Sequence, residues 1–71
     1  MKNIKLLRVT KDLTQLKVQM ETGIDQSILS KYERGENIPT TENLLILARF
    51  YNTSLDFLMD ITDVREPYPR K

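Results

Sequence analysis

Two glycines, Gly23 and Gly35, are the only ones in the chain, and between them there is room for a single short helix. Glycine enters the left-handed backbone region without steric cost, so it ends helices cleanly. Residues 23–38 therefore read as a tight turn, a short helix and a stop, with Asp25 placed to cap the helix at its amino end. At about 100° per residue, Ile28, Leu29 and Tyr32 fall on one side and Gln26, Ser27, Ser30, Lys31 and Arg34 on the other. A helix this short is unstable alone in water. It must be held by its apolar side, with Ile24 of the turn packing beneath.

The rest of the chain supplies helices to hold it. Ile4 and Leu7, with Leu6 beside them, mark a first helix reaching about Lys11. Thr14 is placed to cap a second, ending near Thr22 at the Gly23 stop. Thr40 caps a fourth, in which Leu44, Leu47, Ala48 and Tyr51 keep i, i+3, i+4, i+7 spacing, and Asn52 suits a left-handed end. Ser54 caps a short fifth helix containing Leu55 and Leu58. Strand signals and internal repeats are lacking, so the expected class is all-α, five short helices. Seventy-one residues make one small domain. Its expected extent is 1–64, followed by a basic tail, 65–71, in which Pro67 and Pro69 exclude a regular helix.

Composition removes several functions. Without Cys or His there are no disulfides, thiolate zinc sites or imidazole catalysis. The carboxylates are scattered and lack a calcium-loop pattern, so no metal, cofactor, small-molecule ligand or enzymatic activity is expected. No apolar run approaches the roughly 20 residues of a membrane span, and no signal-peptide core follows Met1. The expected location is cytoplasmic. Net charge is only +1, but residues 1–20 carry five basic groups against one acid. That asymmetry fits either ordinary solvated surface or a basic stripe facing phosphate.

The polar side of the 26–34 helix carries no carboxylate. Its amide, ammonium and hydroxyl groups match the donor and acceptor pattern of base edges in a DNA major groove. A preceding helix starting at Gln15 would present its free amide N–H groups and positive dipole end to a phosphate. Together the two would form a helix-turn-helix, one helix bracing on the backbone and the next lying in the groove.

The most specific residues are Leu13-Thr14-Gln15, Gly23-Ile24, Gln26-Ser27 and Ser30-Lys31-Tyr32-Glu33-Arg34-Gly35. Pro39-Thr40, Leu44-Leu45, Leu47-Ala48 and Ser54-Leu55-Asp56 continue the pattern. Over residues 4–59 the chain resembles the Cro and phage-repressor, or XRE-type, helix-turn-helix family. The resemblance implies a five-helix, lambda-repressor-like domain that binds an operator in double-stranded DNA, commonly as a homodimer, and regulates transcription as a repressor. It also implies roles for residues. Gln15 would touch phosphate and brace Gln26, Gln26 and Ser27 would read bases, and Lys31 would read a base or hold phosphate. Ser30 and Arg34 would lie nearer the backbone. Arg8 and Glu33 would form an internal salt bridge.

Several positions depart from the family pattern. Gln19 stands where alanine is usual, Thr22 where leucine is usual, and Asp25 in place of Ser or Thr. Leu16 and Met20 are apolar where charge is usual, and Ile46 and Phe50 stand at positions often less apolar. Expected to be exposed, these four apolar residues, together with the weak net charge, support an alternative, an antitoxin-like protein-interaction module. Phe57, Ile61, Val64 and Tyr68 fit a dimer surface and a core cap equally well.

Overall fold

The computed structural model describes residues 1–67. Five helices follow one another: α1 Lys2–Thr10, α2 Gln15–Thr22, α3 Gln26–Arg34, α4 Thr41–Tyr51 and α5 Leu55–Leu58. No strand occurs among the described residues. Tyr68 and the basic residues Arg70 and Lys71, named above for the dimer surface and the tail, lie outside them.

Four helix starts are set by side chains acting on their own first turn. Thr14 accepts from the Lys17 amide at 3.1 Å, Asp25 from Ser27 at 2.8 Å, Thr40 from Asn43 at 3.1 Å and Ser54 from Phe57 at 3.0 Å. Each satisfies an amide that the helix itself leaves without a partner. Helix ends follow the same local logic. Gly23 and Gly35 adopt φ of 78° and 76°, and Asn52 takes φ 52°, ψ 56°.

The start of α1 is different. Met1 provides no side-chain cap. Instead Asp60, beyond α5, accepts from the Lys2 amide at 3.0 Å and the Asn3 amide at 2.9 Å. Asn3, buried, donates its side-chain amide to the Phe57 carbonyl at 2.8 Å. The two ends of the fold are thus tied by polar groups around an apolar centre.

That centre is formed by Ile4, Leu7, Val18, Ile24, Leu29, Tyr32, Leu44, Leu47, Tyr51, Phe57 and Leu58. Every helix contributes, and α3 packs against both α1 and α2. Phe57 belongs to this core, whereas Ile61 and Val64 stand exposed. Ile46 and Phe50, expected to be exposed, are instead half-buried because they pack against the core, and Phe50 meets Tyr51 edge-on at 4.9 Å. Leu6 is exposed, on the side of α1 away from Ile4 and Leu7.

Asp60→Ala should lower stability by about 1–2 kcal/mol, because the α1 cap disappears and alanine tolerates the left-handed φ of 63° poorly. Asp60→Asn, which keeps an acceptor and tolerates that conformation, should lose less. Thermal unfolding checks this, at ~4–8 °C per kcal/mol for a domain of this size.

Candidate nucleic-acid interface

Helix α3 is held from inside by three kinds of contact. Leu29 and Tyr32 are 2% and 3% exposed, each contributing about 1.5–3 kcal/mol of apolar burial. The Tyr32 hydroxyl accepts from the Asn43 side chain at 2.8 Å, joining α3 to α4. Glu33, with its side chain almost fully covered, pairs with Arg8 of α1 through two bonds of 2.7 and 2.9 Å. Arg8 also donates to the Leu13 carbonyl at 2.8 Å, so one guanidinium binds α1, the α1–α2 turn and α3. The hydrogen bond to Glu33 raises the Arg8 pKa above its ordinary value. Burial, and then the negative charge of Glu33, push the nearby Tyr51 phenol up to about 12.

Gln15, at the start of α2, donates its side-chain amide to the same Glu33 carboxylate at 3.2 Å. The brace on Gln26 comes from Gln19 instead, whose side-chain oxygen accepts from the Gln26 amide at 2.6 Å. That contact explains why a glutamine suits this crossing: it satisfies an open amide at the start of α3. Thr22 is accounted for too. Its hydroxyl donates to the Val18 carbonyl at 2.7 Å and accepts from Ile24 at 3.2 Å, filling the turn with hydrogen bonds where a leucine would fill it with carbon.

The outward side of α3 divides into engaged and open groups. Ser27 donates its hydroxyl to Asp25 at 2.5 Å, and this bond together with the Ser27 amide holds the Asp25 carboxyl below its ordinary range. Arg34 donates to Ser30 and to Glu36. Pairing with Arg34 in turn lowers the Glu36 pKa. The exposed side chains of Gln26 and Lys31 make no hydrogen bond among the described residues. Ser30 is half-buried.

Ile28 is corrected by the structure. It is 37% exposed, unlike Leu29 and Tyr32, and lies at the edge of the polar side. With Leu29, Tyr32 and Glu33 all turned inward, the covered arc is centred beyond Ile28, which is left at its margin. On α2, Leu16 and Met20 are 51% and 71% exposed, one turn apart. No helix among the described residues is long and apolar enough to cross a membrane.

A family model described as helix-turn-helix matches residues 4–58. Among curated relatives, an antitoxin of Streptococcus pneumoniae, PezA, is 45% identical over 53 residues, which are 75% of this chain and 34% of that protein. An HTH-type transcriptional regulator of Bacillus subtilis, ImmR, is 35% identical over 63 residues, 89% of this chain and 50% of the relative. Another from Bacillus subtilis, YobD, called an uncharacterized HTH-type transcriptional regulator, is 33% identical over 64 residues, 90% and 57%. The chain thus spans between a third and somewhat over half of these proteins' lengths. No solved structure matches it significantly.

Arg8→Met should destabilise the fold by about 3–5 kcal/mol, because it strands a covered carboxylate, whereas Arg8→Met with Glu33→Leu should recover most of that loss. A double-mutant cycle by urea unfolding measures the coupling. Additive losses would mean that the pair is not energetically linked.

Proposed function

The chain belongs to the helix-turn-helix family, and on that premise we propose that it is a sequence-specific regulator that binds double-stranded DNA and represses transcription from an operator. The observation that carries this reading is the division of α3 into a clamped inner side and an outer side free of carboxylates, with Gln26 and Lys31 uncommitted. Gln26, with an amide that can pair with adenine, reads a base edge, and Lys31 reads guanine or holds phosphate. Ser27 and Ser30 offer hydroxyls to bases or backbone. Arg34 reaches phosphate when it leaves Glu36.

Gln15 acts at the second point of contact. It opens α2, whose first turn carries no acid, so the positive end of the helix favours an incoming phosphate. Its bond to Glu33 fixes that end relative to α3. The protein acts as a homodimer, with the exposed Ile61 and Val64 supplying apolar area for a second copy, and reads inverted half-sites about 34–36 Å apart.

A second reading, an antitoxin-like protein-interaction module, is favoured by one specific feature, the exposed Leu16 and Met20 on α2. The name of the pneumococcal relative fits it. Steep loss of duplex binding with salt supports the DNA reading. A stoichiometric protein complex with no duplex binding supports the other.

Gln26→Ala and Lys31→Ala should relax sequence preference, each losing on the order of 1–3 kcal/mol of discrimination, while Gln15→Ala should weaken all duplexes alike. Mobility shifts on operator and scrambled duplexes separate these outcomes, and equal losses on both for Gln26→Ala would remove its base-reading role. Glu36→Gln, by removing the competitor for Arg34, should tighten binding to every duplex, and Arg34→Ala should make the log–log salt slope shallower by about 0.9. An unchanged slope in Arg34→Ala would mean that Arg34 makes no phosphate contact.

A further inference from the structure

We propose that Ile28 is a specificity-determining residue that packs its side chain against the 5-methyl group of a thymine; the proposal rests on the DNA reading above. Three observations carry it. Ile28 is 37% exposed on a helix whose other large apolar residues, Leu29 and Tyr32, are buried. It precedes Lys31 by three residues, so the two are neighbours on the helix surface. It also follows Gln26 and Ser27 directly, in the turn that opens the reading helix.

The chemistry of the groove then selects the partner. Among the base-edge features presented in a major groove, donors and acceptors serve Gln26 and Lys31, whereas the thymine methyl is the apolar one. An isoleucine there gains only by meeting carbon. Its β-branch also restricts it largely to one χ1 rotamer in a helix, so little side-chain freedom is lost when it docks. The fold's own core does not complete the burial of this side chain, and the described residues leave it open at the margin of the polar face.

The test uses the full chain and duplexes selected by it from a random pool. Each thymine of the recovered half-site is replaced by uracil, which removes the methyl group and nothing else on that edge. Wild-type protein should lose about fourfold in affinity at one or two thymines, the effect of one buried carbon. Ile28→Ala should bind the thymine and uracil duplexes equally, and Ile28→Val should keep part of the difference. Equal binding of thymine and uracil at every position by the wild-type chain would overturn the proposal without involving any variant. So would full methyl sensitivity in Ile28→Ala. Failure of the DNA reading looks different: no duplex is enriched and none binds, and both claims then fall together.

Discussion

Glu33 is the residue on which the arrangement turns. Its carboxylate lies on the inner side of α3 and is gripped by Arg8 from α1 and by Gln15 from α2. Apolar contacts alone tolerate small rotations of a helix, since methyl groups slide past one another at little cost. A forked guanidinium on a carboxylate does not, because both bonds must be kept in one plane. The ion pair therefore acts on α3 as a rotational stop. Leu29 and Tyr32 supply attachment and Glu33 supplies angle, and the angle determines which side chains face out.

Much of this was legible in the sequence because it is local. Thr14, Asp25, Thr40 and Ser54 cap the helices they precede, and Gly23, Gly35 and Asn52 end them, because each acts on backbone within a few residues. The contacts that join distant segments were not legible in this way. Nothing near Asp60 signals that it caps a helix 57 residues earlier, and Asn3 reads as an ordinary surface residue until Phe57 is brought beside it. Arg8 and Glu33 were suggested by resemblance, since spacing carries no sign of their meeting. Ile28 shows a different limit. A helical wheel places it 100° from Leu29 and within a plausible apolar arc, but the width of the covered arc is set by neighbouring helices.

The departures from the family pattern are compensated rather than merely tolerated. An alanine at position 19 would let α2 and α3 approach closely. Gln19 instead spans the crossing and caps the Gln26 amide. Thr22 exchanges apolar filling for two hydrogen bonds in the same turn. Both changes place polar groups where open amides need partners, so the turn is kept by hydrogen bonding at some loss of carbon packing. The same logic does not extend to Leu16 and Met20, whose exposure nothing in the fold explains.

Charge on the outward side is arranged in a way that bears on discrimination. Asp25 stands beside Ser27, and Glu36 holds Arg34, so two carboxylates border the outward side of α3 and one of its cations is already paired. On the proposed DNA reading, a phosphate would compete with Glu36 for that guanidinium, which would lower the sequence-independent part of binding. The base contacts proposed for Gln26 would be unaffected by such competition, because Gln26 is neutral and its side chain is open. Weakening the common term while leaving the selective one intact raises the ratio of specific to non-specific binding. That ratio, multiplied by the number of competing sites, governs occupancy of an operator. A nearly neutral chain is therefore consistent with a selective DNA binder, provided that the helix proposed to read the bases is held rigidly, which is the work of the ion pair beneath it.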